Sequence, residues 1–491
     1  AGWWYWRNWR LYGDPLGLNV FVAIVGGRYP QPTLRQLLGE WQGFVMAYWG
    51  FFGGLNVAAP AWFYRLLNAL ALAGLGGLLG GMARRLWQRQ IPAATTRFRL
   101  TLLALWPLVV GAALVRWTLM TIASQGRLIF PAIAALSWLL ALGLSEWPPL
   151  LAALARRPLP RRLSAAPLAT ALALMVALAL YAPLGVIAPA YACPRLLGAD
   201  DLAAIPHRLE VVFDDKAALL GYDIAEDAVT PGQALHVTLY WRALAPMVEN
   251  YSVFVHLLAE NEIIIAQRNL YPGKGVFPTS QWRPGDTFAD TYRLEVLPTA
   301  LAPTAAQLEI GLYRHETGER LPARGATADA IHGAQADAVR LGDLLVRAKS
   351  NGAPNPLKIN LEDQVALVGY DLDRTAARPG ETLRLTLYWQ ALAEMDEDYT
   401  VFAQVLGDNH RIWAQKDAWP QDGAAPTSHW QPGQMIVDRY ELVLDPETPA
   451  DIYQLQVGLY LSETMRRLNV LGPGGHVRDN RVLLNPLRVL P

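Results

Sequence analysis

Leu219-Leu220-Gly221-Tyr222-Asp223 returns 148 residues later as Leu367-Val368-Gly369-Tyr370-Asp371. The same offset relates Pro278-Thr279-Ser280-Gln281-Trp282 to Pro426-Thr427-Ser428-His429-Trp430, and it holds at other matched positions. A constant offset over so many positions indicates a duplicated domain. The copies start near residues 206 and 354. We therefore assign residues 191–348 to the first repeat and 349–491 to the second, with a linker at 350–356.

Each copy alternates apolar and polar residues with a period of two, between Pro-Gly, Asn or Asp turns. This alternation is typical of short antiparallel strands. Leu235, Val237, Leu239 and Trp241 share one face in the first copy, and Leu383, Leu385, Leu387 and Trp389 repeat the pattern. Further strands are expected at 251–258, 263–267, 287–295, 307–313 and 339–346. About seven strands in each copy predict tandem immunoglobulin-like β-sandwiches.

The tryptophans of the repeats raise the question of sugar binding. Trp241 and Trp389 are in phase with the Leu/Val face, so strand parity predicts that they are core residues. Trp282 and Trp430 precede Pro-Gly turns. We expect them to anchor those turns by packing on their own domains, with exposure to a glycan as the open alternative.

Residues 61–190 have the composition of a transmembrane bundle. Four stretches, at about 62–83, 99–119, 128–146 and 167–189, are near the ~20 apolar residues that a crossing needs. Small residues in the first stretch predict close helix packing. Arg116 and Arg127 lie between the second and third stretches. Nine other arginines lie in the loops after the first and third: Arg84, Arg85, Arg89, Arg97, Arg99, Arg156, Arg157, Arg161 and Arg162. The positive-inside rule therefore predicts an integral membrane protein with residues 1–60 and 191–491 outside the cytoplasm.

Residues 1–60 are rich in tryptophan and tyrosine. Aromatic rings with polar edges favour the membrane–water interface, which predicts short helices on the outer leaflet. A fifth span at 42–59 is the alternative. We disfavour it because Gly53-Gly54 and Pro60 interrupt the segment.

Several classes of chemistry lack their motifs in this chain. The single cysteine, Cys193, excludes an internal disulfide framework and a cysteine-based zinc site. There is no Gly-x-Ser-x-Gly, no Walker motif and no Gly-x-Gly-x-x-Gly after a strand. The formal net charge is zero and no basic stripe marks the repeats. We therefore expect no metal, no cofactor and no nucleic-acid partner.

Two polar clusters are candidate sites at the outer membrane face. The first contains Gln125 and Arg127, where the third span begins, and its arginine could bind a lipid phosphate through the planar guanidinium. An arginine that simply extends to the headgroups is the alternative. The second contains Arg10 and Asp14 among aromatic residues. It suits a lipid-linked sugar or an interfacial anchor equally well.

The segment Gln125-Gly126-Arg127-Leu128-Ile129-Phe130-Pro131-Ala132 resembles the Gly-Arg-Tyr-x-x-Pro-Ala segment late in bacterial polyprenyl-phosphate-sugar-dependent glycosyltransferases of the GT-C class. These include protein-mannosyltransferase-like and aminoarabinose-transferase-like enzymes. Residues 5–15 resemble an outer loop of a subgroup. The tandem repeats, with Leu-Tyr-Trp-x-Ala-Leu and Pro-Thr-Ser-x-Trp-x-Pro-Gly, resemble the extracytoplasmic tail of that subgroup.

This resemblance implies transfer of a sugar from a polyprenyl-phosphate donor outside the cytoplasm, with Arg127 in a lipid-phosphate role. Membrane lipid, the lipid-linked sugar and a cell-envelope glycan would be the partners. In such enzymes the catalytic acid lies in the first outer loop, and no catalytic residue can be transferred to this chain. Because the sequence begins Ala1-Gly2-Trp3, we expect it to be the C-terminal part of the enzyme. The alternative is a non-enzymatic, membrane-anchored surface protein whose sandwiches bind cell-wall glycan or a protein.

Overall fold

The computed structural model describes residues 2–28, 32–90, 92–156, 160, 164–325, 331–332, 336–349, 352–408 and 410–491. Arg157, Arg161 and Arg162 of the basic loops, and Ser350 and Asn351 of the expected linker, lie outside these ranges. The contacts divide the chain into two compact units. The first comprises Ala1–Ala192 with Pro473–His476, and the second comprises Cys193–Gly472 with Val477–Pro491.

The first unit contains four helices that are long and apolar enough to cross a membrane, as predicted. Their bounds are α5 (Ala61–Trp87), α6 (Ala94–Met120), a 3₁₀ segment (Gly126–Ala132) that continues as α7 (Ile133–Ala155), and α8 (Ala166–Tyr181), which continues through a π-helical turn (Ala182–Ile187) into α9 (Ala188–Ala190). Each helix extends beyond the predicted span at one or both ends, because the flanking residues continue the helical hydrogen bonding.

Short helices precede these spans. They are α1 (Gly2–Tyr12), α2 (Leu18–Val25), α3 (Leu34–Gly39) and α4 (Trp41–Trp49), followed by a hairpin of β1 (Phe51–Phe52) and β2 (Val57–Ala58). The alternative of a fifth span at 42–59 is wrong. At Gly50 the backbone takes φ 150°, which ends α4. A nine-residue helix is about 14 Å long, less than half the thickness of a bilayer core.

Helices α5 and α7 pack through glycines, as the small residues of the first span predict. A Cβ on Gly77 would lie 1.9 Å from the carbonyl oxygen of Gly143, and a Cβ on Gly143 would lie 1.8 Å from that of Gly74. Such contacts let helix backbones approach closely. One turn further along α7, Glu146 accepts a hydrogen bond from Arg84 (3.2 Å) and pairs with Arg85. The acidic residue in this span is thus compensated.

The second unit begins with α10 (Ala199–Ala203) and the first repeat. The strands of this repeat are β3 (His207–Phe213), β4 (Ala217–Ile224), β5 (Ala228–Val229), β6 (Ala234–Ala243), β7 (Tyr251–Leu258), β8 (Ile264–Leu270), β9 (Thr287–Glu295), β10 (Thr304–Arg314), β11 (Ala323–Gly325), β12 (Ile331–His332) and β13 (Ala338–Val346). One sheet has the order β11-β3-β4-β6-β9. The other has the order β12-β13-β10-β7-β8, with β5 parallel to β13. The remaining pairings are antiparallel, as predicted.

The second repeat has the same arrangement. Its strands are β14 (Pro356–Leu361), β15 (Val365–Leu372), β16 (Ala376–Ala377), β17 (Thr382–Ala391), β18 (Thr400–Leu406), β19 (Ile412–Ala418), β20 (Met435–Val443), β21 (Ile452–Leu461), β22 (Arg466–Arg467), β23 (Val470–Leu471), β24 (Val477–Asp479), β25 (Val482–Leu483) and β26 (Leu487–Val489). The order β15-β17-β20 repeats β4-β6-β9, and β26-β21-β18-β19 repeats β13-β10-β7-β8. Duplicated sequence therefore gives duplicated topology.

Each repeat has its own apolar core, and the tryptophans belong to it. Trp241 and Trp389 are fully buried, as strand parity predicts. Trp282 and Trp430 are also buried, and the indole nitrogen of Trp282 donates to the carbonyl oxygen of Phe277 at 3.0 Å. The exposed, sugar-stacking alternative for these two residues is therefore wrong. The Pro-Thr-Ser-x-Trp motif is a structural signature of the fold.

Candidate functional site

Arg127 and Gln125 lie side by side at the start of the third span. The Arg127 Nε donates to Gln125 Oε1 at 2.9 Å, and the Arg127 side chain is exposed. Among the described residues no carboxylate forms an ion pair with it. The outer edge of the guanidinium is therefore available to an anion, and two parallel N–H donors are the geometry that binds a phosphate.

The segment that carries these two residues is fixed to α4. A Cβ on Gly126 would lie 2.2 Å from the carbonyl oxygen of Phe44 and 2.5 Å from Cβ of Tyr48, so only glycine allows this contact. The rings of Tyr48 and Phe130 meet edge to face at 5.8 Å. These contacts hold the backbone of the segment that carries Arg127 against α4.

A buried ionic network stabilises the same region, and no pattern in the sequence predicted it. Nη1 of the buried Arg28 side chain donates to the carbonyl oxygen of Thr118 at 2.8 Å. Its Nη2 pairs with Glu40, which also accepts a hydrogen bond from Ser124. The network joins the loop after α2 to the turn that precedes Gln125. One signal was available, because Glu40 is one of only three acidic residues among residues 1–192.

An apolar cavity of about 380 Å³ lies beside this turn. Its walls come from α4, α5 and α7, and include Phe44, Trp49, Leu75 and Leu140; Ile129, two residues after Arg127, also lines it. The lining is mainly apolar but includes Tyr48 and Asn68, and the Asn68 Oδ1 accepts a hydrogen bond from the Trp49 indole at 2.8 Å. An apolar cavity with so few polar groups suits a hydrocarbon chain.

Arg10 and Asp14 lie in a different local arrangement. The Arg10 guanidinium lies over the Trp6 ring, 5.7 Å from its centroid. Asp14 accepts from the backbone N–H groups of Asn19 (3.1 Å) and Leu16 (3.0 Å), and these bonds lower the pKa of its carboxyl. Within the described ranges no hydrogen bond or ion pair joins either residue to Gln125 or Arg127. The structure brings together Gln125 and Arg127 only.

The acidic groups of the first unit are all engaged. Asp14 holds the start of α2, Glu40 pairs with Arg28, and Glu146 pairs with Arg84 and Arg85. In the described part of the chain, no three His, Cys, Asp or Glu side chains are grouped to hold a metal ion. What this region offers chemically is an exposed cation, Arg127, in a 3₁₀ segment that also lines an apolar cavity through Ile129.

Comparisons with known proteins assign no family. No family model matches the chain, and no curated protein matches it. Among solved structures, the transglutaminase of red sea bream matches with 7% sequence identity over 55% of this chain and 31% of its own, at a TM-score of 0.16. The chain thus spans about a third of the length of that enzyme. At this level the likeness indicates neither fold nor activity.

Proposed function

We propose that this chain binds a polyprenyl-phosphate-linked sugar at the outer membrane face and serves a membrane glycosyltransferase. One observation carries the proposal: Arg127 is exposed, and Ile129, two residues later in the same 3₁₀ segment, lines an apolar cavity between helices of the membrane unit. A lipid phosphate needs a cation for its head and an apolar surface for its chain. The resemblance of residues 125–132 to the GT-C segment supports the same function.

The energetics of such a lipid follow from the two parts of the site. The polyprenyl chain already lies in the bilayer, so the cavity contributes packing contacts with the chain and no transfer from water. Arg127 can pair with the phosphate and then stabilise the charge that develops on it as the sugar leaves. A transferase also needs a carboxylate as base for the acceptor. We assign no such base to this chain, because its membrane-unit carboxylates already have partners.

Orientation and domain type are parts of the same proposal. Arginine-rich loops after the first and third spans put those loops in the cytoplasm and the repeats outside. We further propose that the repeats are immunoglobulin-like sandwiches. Each has two mainly antiparallel sheets around one core, with a buried tryptophan in β6 or β17.

Lipid binding to the full-length chain in nanodiscs tests the phosphate site. Polyprenyl phosphate is the probe, and Arg127→Ala should weaken its binding about tenfold, since one charge-assisted pair is lost. Arg116→Ala is the matched control, because Arg116 is also exposed and lies near the C-terminal end of α6, which leads into the turn before Gln125. Its binding should stay at the wild-type value.

A second variant tests the cavity. Ala71 lines it, and Ala71→Phe should weaken binding of polyprenyl phosphate while leaving that of a short-chain alkyl phosphate unchanged. Unchanged affinity in Arg127→Ala would remove that residue from the site. Equal losses in the Arg127 and Arg116 variants would indicate unspecific surface attraction and would contradict the proposal.

A further inference from the structure

The second unit contains a cleft of about 990 Å³ between its two repeats. One wall comes from turns of the first repeat at Gly232 and Pro298. The other comes from β14 and β23 of the second repeat, including Leu357 and Val470. A neighbouring depression of about 560 Å³ shares Leu357 and Lys358 with the cleft and so extends it.

Of the residues that the structure describes, every charged side chain that lines the cleft is basic: Lys349, Lys358, Arg478 and Arg481. The surrounding sequence has the opposite balance, because residues 193–491 contain 39 acidic and 26 basic residues. The basic residues of the cleft therefore form a local positive cluster on a unit that is acidic as a whole. Asp479 pairs with Arg481 at 3.7 Å and offsets part of this charge, whereas salt screens the acidic residues that lie beyond about 10 Å.

One of the cleft cations is held by buried polar groups. Arg481 Nη1 donates to Gln456 Oε1 at 2.9 Å, and Gln456 Nε2 donates to Gln404 Oε1 at 2.7 Å. Both glutamines are buried. Burial of such amides is costly unless they are hydrogen-bonded. Here their hydrogen bonds fix the guanidinium at the cleft. The Lys349 ammonium lies beside Gly232, with its Nζ 3.6 Å from where a Cβ on that glycine would be.

We propose that this cleft binds an anionic oligosaccharide, one whose sugars carry phosphate or carboxylate groups. The cations would pair with those groups, and the apolar wall would contact the C–H faces of the rings. An extended peptide fits less well, because it binds by adding to an open strand edge. Strand β14 pairs with both β15 and β23, and β23 pairs with both β14 and β24. This site is separate from the lipid site.

Titration of the full-length chain in an uncharged polyoxyethylene detergent, which carries no sugar, tests the cleft. Oligogalacturonate is the probe, and maltodextrin of matched length is the neutral comparison. We expect binding of oligogalacturonate only, weakened by added salt. The double variant Lys349→Glu, Lys358→Glu should weaken it by about tenfold or more, since two attractive contacts become repulsive. Both lysines are exposed, so their substitution should leave the thermal unfolding of the protein unchanged.

The matched control is the double variant Arg283→Glu, Arg439→Glu. Both arginines are exposed in the second unit and neither lines the cleft. Its affinity for oligogalacturonate should equal that of the wild type. The proposal is overturned if the two double variants lose affinity equally, or if maltodextrin binds as well as oligogalacturonate. It is also overturned if an acidic peptide binds the cleft and oligogalacturonate does not.

Discussion

Asp438 is a carboxylate on the core side of β20. It accepts from the backbone N–H of Gln421 (2.8 Å) and from the Tyr440 hydroxyl (2.5 Å), and its side chain is buried. Burial raises the pKa of Asp438 above its ordinary value, although the bond from Tyr440 opposes the rise. Asp290 repeats these contacts in the first repeat, with Gly273 and Tyr292. The duplicated sequence thus carries a duplicated buried acid.

The raised pKa has a definite consequence for stability. The folded state holds its proton to a higher pH than the unfolded chain does, so the contribution of Asp438 is fully present below the ordinary pKa. It is lost as pH rises through the folded value. Asp438→Asn cannot ionise. Relative to wild type, its unfolding free energy should therefore increase as the pH rises above the ordinary carboxyl pKa, where the buried wild-type carboxyl begins to lose stability.

Hydrogen exchange of peptides from β17 and β20, corrected for intrinsic rates, measures this gain in the full-length protein. Asp371→Asn is the control, because Asp371 is exposed and lies in the same sheet. Asp438→Ala should instead destabilise the repeat by about 2 kcal/mol, since two donors lose their acceptor. A pH dependence of Asp438→Asn equal to that of wild type would contradict the assignment.

The alternation of apolar and polar residues along the strands correctly predicted which single positions are buried. The alternation through Leu235, Val237 and Leu239 located Trp241 in the core, and the same register located Trp389. Asp438 was predictable by the same rule, because it alternates with Ile436 and Tyr440. Pairings across the membrane unit were not predictable. The contact of Arg28 with Glu40 and the carbonyl of Thr118 depends on how separate helices pack. Hydrophobic periodicity within one segment does not predict such packing.

Helices α5 and α7 form the element whose packing is most sensitive to a single methyl group. Gly77→Ala would bring a Cβ to 1.9 Å from the Gly143 carbonyl oxygen, so the helices must separate. Overpacking of this kind costs about 1–3 kcal/mol. A methyl on Gly111 of α6 meets nothing within 4 Å, which makes Gly111→Ala the matched control.

Detergent-induced unfolding of the full-length protein, from mild micelles into SDS, measures the effect. Gly77→Ala should unfold at a lower SDS fraction, while Gly111→Ala should follow the wild type. A Gly77→Ala profile that overlays the wild type would show that α5 and α7 do not depend on this contact.

Element boundaries show what composition and spacing can give. Length and apolar content were enough to identify the four spans. They did not decide whether residues 42–59 form a fifth span. In the structure, the positive φ at Gly50 ends α4 and a hairpin follows. The cavity between α4, α5 and α7 was also beyond the sequence, since it depends on tertiary packing. Within the candidate site, only the proximity of Gln125 to Arg127 followed from their spacing.

At the scale of the whole molecule, the zero net charge is the sum of a basic N-terminal part and an acidic C-terminal part. Residues 1–192 contain 16 arginines and three acidic residues, whereas acidic residues predominate after residue 193. Arginine concentrated in the loops between spans is the pattern that orients membrane proteins during insertion. An acidic excess keeps a water-exposed region soluble. The two halves are therefore charged as their proposed locations require.

The single cysteine makes this topology testable without disturbing the repeats. Cys193 follows the fourth span and is exposed, with its sulfur 3.7 Å from the Val276 carbonyl oxygen. In intact spheroplasts that express the chain, a membrane-impermeant maleimide should label Cys193. In a Cys193→Ser background, Arg89→Cys should react only after permeabilisation, because Arg89 lies in the arginine-rich loop after the first span. The reverse pattern would place the repeats in the cytoplasm and remove the orientation on which the proposed transferase depends.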